Sequence, residues 1–249
     1  MSAWAGIGRS DIGLVRTMNQ DAFVTMDHLG FWAVADGMGG HAGGEIAAQS
    51  AIATAAARGA LLADPLRKGH CTAQDFLHDV MTQAHDAVVG RARLEPRLSQ
   101  MGTTLVTLLI TADAIPTAHL AHVGDSRAYL YRNGRLTQST RDHTLIETYI
   151  ARGVLTQAMA KTHPERHVLT KAIGISPSVK PDLTAIPLHP SDILLLCSDG
   201  LTKMLDDADI AGIMGGAQGD PIRICDRLIE TSLARGGEDN VTVVVVTHP

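Results

Sequence analysis

Aromatic side chains make up only 3% of this chain, acidic residues outnumber basic ones, and no lysine–arginine stripe occurs, for a net charge of −5. Phosphate backbones need clustered Lys and Arg, and single strands need aromatic stacking platforms, so no nucleic-acid partner is expected. Cysteine is scarce too. Cys71, Cys197 and Cys225 are odd in number and unrelated in spacing, which fits reduced thiols acting as small buried hydrophobes and neither a disulfide framework nor a zinc site. No apolar run approaches the roughly 20 residues needed to cross a bilayer. The opening MSAWAGIGRSDIG lacks a basic segment leading into an apolar one, so no membrane partner and a cytoplasmic location are expected. Repeats, low-complexity tracts, linker-like segments and heptads are missing as well. With 45% apolar residues among 249, the chain can build a full core, and it is read as a single domain over 1–249 and as a monomer.

What is present reads as strands and paired helices. Ala22 to Met26 and Phe31 to Ala35 flank a turn and suggest a hairpin. Gly44 to Leu62 is alanine-rich and helical, and Thr72 to Arg93 opens with Thr-x-x-Asp, a variant of the capping box. From Thr103 the texture turns β-branched: Thr103 to Thr111, Ala118 to Val123 and Ala128 to Arg132, with Asn133-Gly134 supplying a two-residue hairpin turn. The polar segment from Arg141 to Lys171 reads as a short helix plus an irregular excursion, its histidines His143, His163 and His167 as solvated loop residues. Strands resume at Leu183 to Pro187 and Ile193 to Cys197. Helices follow at Asp206 to Met214 and Pro221 to Ala234, and a strand closes at Val241 to Thr247. Runs such as ILLLC and VTVVVV imply strands buried on both faces, while the helices come in separated pairs, so stacked antiparallel sheets covered by helices are expected.

The chemistry lies where apolar runs stop. Asp36 follows FWAVA, Asp125 follows LAHVG, Asp199 follows ILLLCS and Asp239 precedes NVTVVVV, so each acid is read at a strand end, with glycine beside or near it. A lone Asp-Gly is an ordinary turn signal. Four acids so placed argue for convergence in one cleft, where like charges cannot all stay ionised without a counter-cation. Oxygen-only ligands select a hard ion, Mg²⁺ or Mn²⁺. Other chemistries fail on spacing. Gly39 and Gly44 have Walker spacing, but Glu45 and Ile46 follow where Lys and Ser or Thr are required. The Cys-x5-Arg pattern of thiol phosphatases finds Leu77, Lys203 and Thr231, and no Gly-x-Ser-x-Gly elbow occurs.

In order along nearly the whole chain, SDIGLVRTMNQDAF, VADGMGGHAGGE, GTTLV, AHVGDSRAYLYRNGRLTQST, RDHTL, LTKAIG, LLLCSDGLT and EDNVTVVVV resemble the motif series of the metal-dependent protein phosphatases, the type 2C serine/threonine class, in its compact bacterial form. The resemblance implies an α+β fold, a four-layer α/β/β/α sandwich with two stacked, mainly antiparallel sheets flanked by helix pairs. It implies two Mg²⁺ or Mn²⁺ ions bridged by Asp36, with Asp199 and Asp239 completing one site and the Gly37 carbonyl serving the other. Asp125 corresponds to the ligand of a third, weaker site. Arg16 takes the place of the arginine that binds the substrate phosphate, Asp21 holds metal-bound waters, and Asn240 orients Asp239.

The chain departs from the animal enzymes at Gln20, where they have a glutamate ligand, and at Met38, where they have a histidine proposed as general acid. That leaves the proton donor open between solvent, metal-bound water and His41. The implied activity is hydrolysis of phosphoserine and phosphothreonine monoesters by attack of a metal-bridging water. The implied partners are phosphorylated proteins and a cognate Ser/Thr kinase, and 141–171 is the flap. Two other readings stand beside it: a catalytically silent phosphoprotein-binding regulator on the same scaffold, disfavoured because every expected ligand is present, and another two-metal hydrolase such as a phosphodiesterase.

Overall fold

The computed structural model describes residues 4–39, 43–112, 114–160, 163–176 and 178–248; His41 lies outside them. The chain forms β1 (Ala5–Asp11), β2 (Asp21–Met26), β3 (Phe31–Met38), α1 (Gly43–Arg67), α2 (Ala73–Leu94), β4 (Gly102–Thr103), β5 (Leu105–Thr111), β6 (Thr117–Val123), β7 (Arg127–Arg132) and β8 (Arg135–Gln138). It continues with α3 (Leu145–Ala151), α4 (Gln157–Ala160), β9 (Asp182–Pro187), β10 (Ile193–Cys197), α5 (Asp199–Met204), α6 (Asp207–Gly216), α7 (Pro221–Ala234) and β11 (Val241–Thr247). One sheet has the order β1-β11-β10-β7-β8; the other has β2-β3-β5-β6-β9, with β4 paired to β3. Every ladder is antiparallel.

Three apolar layers separate four layers of backbone, which is the α/β/β/α sandwich. Alternate residues of the central strands serve different layers, as the pleat requires. On β10, Leu194 and Leu196 face the opposite sheet with Trp32, Val106 and Leu120, while Leu195 and Cys197 face Ile210, Ile224 and Leu228 of the helices. All seven residues of β11 are buried, as its continuous apolar run predicts. Full burial of each such valine contributes about 1.5–3 kcal/mol. On the outer face of the second sheet, Ala47, Ala48, Ala51 and Ala55 let α1 lie close against Phe31, Ala33 and Ala35. By length and composition α1 could cross a bilayer, with a mean hydropathy of 1.3, but here its alanine face is a core face.

Local signals read in the sequence have their expected form. Thr72 and Asp75 make a reciprocal capping box at the start of α2. Asn133 and Gly134 both take positive φ, 52° and 78°, the geometry a tight right-twisted hairpin demands. Cys197 and Cys225 are free and buried, whereas Cys71 is only half-buried.

Four expectations need correction. The strand expected over Thr103 to Thr111 breaks at Thr104, whose Oγ1 accepts from the Asp36 N–H (2.9 Å) and whose N–H donates to the Asp36 carbonyl (2.8 Å). Asp36 is not at a strand end: β3 runs on to Met38 because β4 pairs with Gly37 and Met38. Asp199 does not simply end β10; it opens a short helix, with Ser198 at the N-cap position making no side-chain capping bond. His143 is no solvated loop residue, being 8% exposed and stacked on His122 at 4.6 Å.

Candidate active site

The sheets deliver their acids to one place. Asp21 of β2 stands opposite Asp36 of β3 in register, and Ser198, at the end of β10, donates its hydroxyl to Asp21 Oδ2 at 2.7 Å, tying the two sheets together. A cleft of about 930 Å³ is lined by Arg16, Asp36, Gly37, Asp125, Asp199, Lys203, Asp239 and Asn240, with Met18, His167, Lys171 and Ile175 among its other walls. Asp21 lies behind this lining, 9% exposed. All eight residues singled out in the sequence therefore meet, seven at the surface of the cleft and Asp21 beneath it.

Glycine at 37 has a packing reason. A Cβ there would come within 2.0 Å of the Gly44 carbonyl oxygen and 2.7 Å of that of Gln20, so the first turn of α1 can lie on the strand only where there is no side chain. Asp125 follows Gly124, whose φ is 105°. That turn is fastened by Gly124 N–H donating to His143 Nδ1 (3.2 Å) and His143 N–H donating to the Gly124 carbonyl (3.0 Å).

Arg16 lies in the irregular segment between β1 and β2, not in a strand, and Asn240 holds that segment. Its side-chain amide donates to the carbonyls of Ile12 and Met18, both at 2.9 Å, and its Oδ1 accepts from Gln20 N–H at 2.8 Å. The contact to Asp239 comes instead from the Asn240 backbone N–H, 3.0 Å from Oδ1. The asparagine side chain thus positions the loop that carries the arginine.

Charge is distributed unevenly. Burial pushes the Asp36 carboxyl well above its ordinary range, and the charges of Asp21, Asp199 and Asp125 add to the effect. Burial raises Asp21 to about 6 against the hydrogen bonds of Ser198 and Thr242. Asp125 rises to about 7, again through burial first and then Asp199 and Asp142. Asp239 goes the other way: burial works to raise it, but Lys203 and Arg16 outweigh that and hold it below its ordinary value.

Lys203 is the residue the sequence reading missed. Its ammonium donates to Asp199 Oδ2 at 2.6 Å and to Asp239 Oδ2 at 2.7 Å. Arg16 reaches Asp239 with Nε (2.8 Å to Oδ1) and Nη2 (3.0 Å to Oδ2). The available signal was the Asp199-x-x-x-Lys203 spacing, one helical turn, which carries meaning only once a helix is placed there.

These residues fit hard divalent cations. The side-chain donors are all oxygen. Among the described residues, two buried side-chain oxygens lack any hydrogen-bond partner, Asp21 Oδ1 and Asp199 Oδ1, and an ammonium stands where Asp199 and Asp239 would share a metal. Among the described residues no ready-made cluster of three acidic, histidine or cysteine ligands exists; Lys203 and Arg16 hold Asp199 and Asp239 together.

A two-sheet sandwich thus brings oxygen donors from β3, the turn after β6, the start of α5 and the residue pair before β11 into one cleft whose chemistry suits hard divalent cations. A sequence profile described as protein phosphatase 2C matches residues 8–228, and the chain belongs to that family. It is 39% identical to the serine/threonine protein phosphatase PstP of Mycobacterium tuberculosis over 237 residues, 95% of this chain and 43% of that protein, and so spans less than half of PstP's length. It is 33% identical to the serine/threonine phosphatase stp of Listeria welshimeri over 246 residues, 96% of this chain and 93% of that protein. A crystal structure of the catalytic domain of PstP in complex with two manganese ions superposes with a TM-score of 0.84 at 35% identity, covering 98% of this chain and 97% of that one.

Proposed function

We propose that the chain is a protein serine/threonine phosphatase that hydrolyses phosphoserine and phosphothreonine monoesters, with two Mg²⁺ or Mn²⁺ ions held by Asp36, Asp199, Asp239 and the Gly37 carbonyl. The observation that carries this reading is the convergence of buried, mutually repelling carboxylates with partnerless oxygens on a cleft that also presents an arginine. Family membership and the manganese complex of a relative support it. Divalent ions bound here supply Lewis acidity, activating water at neutral pH and offsetting phosphoryl charge.

The chain's own residues do the rest. Arg16 pairs with phosphate oxygens through its planar fork, a geometry suited to bidentate recognition. Asn240 fixes the arginine loop, Asp21 accepts from Ser198 and keeps one oxygen free to hold water, and Asp125 offers a further, weaker cation site. Phosphorylated proteins and a cognate Ser/Thr kinase that supplies them are the partners this reading calls for.

The test is Mn²⁺-dependent phosphate release from a phosphothreonine peptide. Asp36→Asn folds by circular dichroism and loses the activity; a folded Asp36→Asn protein of undiminished activity would contradict the assignment.

A further inference from the structure

Two cations and two carboxylates close on each other in this cleft. The Lys203 ammonium bridges Asp199 and Asp239 while Arg16 grips both oxygens of Asp239. The remaining basic groups along the cleft are otherwise engaged or weaker: Lys171 donates to Asp182 at 2.9 Å, and burial lowers the pKa of His167. Asp199 keeps Oδ1 free, but both Asp239 oxygens are taken, Oδ2 by Lys203 and Arg16 and Oδ1 by Arg16. An ion ligated jointly by the two acids thus has to take an oxygen from a side-chain cation, and an ammonium bonded to the same two carboxylates is repelled by a dication between them. Lys203 therefore has to move when metal binds. Its four-carbon stem and three rotatable donors permit that, and the side chain, 24% exposed, lines the same cleft the phosphate must enter. Metal at Asp239 likewise releases Arg16.

Building on the two-metal phosphatase reading, we propose that Lys203 is a displaceable internal cation. It occupies the Asp199–Asp239 pair in the metal-free protein, thereby weakening metal binding, and on loading turns to bind the substrate's phosphate oxygens beside Arg16. The same two side chains then serve the carboxylates without metal and the phosphate with metal. Metal and phosphate binding are consequently coupled with positive sign, each raising the affinity for the other by the same factor.

The experiment is calorimetry on the full chain, first titrating Mn²⁺ into metal-free wild type, Lys203→Met and Lys203→Arg, then inorganic phosphate into each protein with and without saturating Mn²⁺. Lys203→Met should bind Mn²⁺ at least about tenfold more tightly, the scale of ordinary coupling between sites. Once loaded, it should bind phosphate about fivefold or more weakly than wild type, and its phosphate affinity should depend less on Mn²⁺. Lys203→Arg, which keeps the charge, should stay close to wild type in Mn²⁺ affinity. Unchanged or weaker Mn²⁺ binding by Lys203→Met overturns the displacement, and unchanged phosphate affinity overturns the transfer to substrate.

Circular dichroism verifies the fold. Should Lys203→Met not fold, Lys203→Gln, which removes the charge and keeps a polar tip, is held to the same expectations. Wild type that binds no Mn²⁺ sinks the metal reading and this proposal together. Wild type that binds two Mn²⁺ and hydrolyses p-nitrophenyl phosphate, beside a Lys203→Met protein of unaltered affinities, sinks this proposal alone.

Discussion

Asp36 and Asp239 line the same cleft and are opposites. Asp239 is gripped by an ammonium and a guanidinium and held below its ordinary pKa. Asp36, on β3, has no cation hydrogen-bonded to its side chain among the described residues and is pushed up by burial and by three neighbouring carboxylates, which Lys203 only partly offsets. Desolvation and like charge act on both; what differs is whether positive charge is within reach. Side-chain cations satisfy one wall of the cleft and leave the other with a deficit that a bound cation would fill.

The comparison can be broken at several points. The largest effect should come from the deficient wall, where Asp36→Asn lowers Mn²⁺-dependent phosphopeptide hydrolysis by at least about a hundredfold, as expected when the stabilisation of transition-state charge is lost. On the satisfied wall, Arg16→Ala should reduce kcat/KM about 10- to 100-fold, the worth of a charge-assisted hydrogen bond to phosphate. Its Mn²⁺ affinity, read by calorimetry, should be no weaker than that of wild type, because the arginine competes for Asp239.

A third effect is on stability. Burial and neighbouring carboxylates raise Asp125 to about 7 and Asp21 to about 6 in the folded protein, against 3.8 ordinarily, and lift Asp36 well above its ordinary range too. The folded state therefore binds more protons than the unfolded one between these limits, and stability falls as pH rises through the folded values. Metal-free protein should lose a few degrees of Tm between pH 6.5 and 8, Asp125→Asn should make that slope shallower, and saturating Mn²⁺ should abolish it. His143, depressed by burial to about 4, acts in the opposite sense below pH 6.5, so the slope is best read above that value. The smallest effect should follow from Asn240→Ala, which strands the Ile12 and Met18 carbonyls. Because Ile12 and Met18 are exposed and water can reach their carbonyls, a cost of about 0.5–1.5 kcal/mol appears as a lower Tm, together with a raised KM as the Arg16 loop loosens.

The parts of this molecule that were legible in the sequence are those set by short-range rules or by full burial. The VTVVVV run could only be a two-sided core strand, Thr72 with Asp75 could close a cap by themselves, and Asn133-Gly134 could supply its own turn. The acids were legible because aspartates following or preceding apolar runs, with glycines beside or near them, recur in one motif order, although Asp36 proved to lie inside β3 and Asp199 to open α5. What stayed hidden depends on residues distant in sequence. The break at Thr104 exists because its hydroxyl and amide serve Asp36, 68 positions away. α5 spans six residues, too few for a helical period to show, so Lys203 could not be placed on the face of Asp199. His143 looked polar and exposed because nothing local reveals the partner it stacks on, His122.

The most direct test is anomalous diffraction at the manganese edge from a crystal of the full chain soaked in Mn²⁺. The account predicts two peaks between Asp36, Asp199 and Asp239, with the Lys203 ammonium withdrawn from the carboxylate pair. Manganese density absent from the cleft, or confined to other surface acids while Lys203 keeps its place, would contradict it.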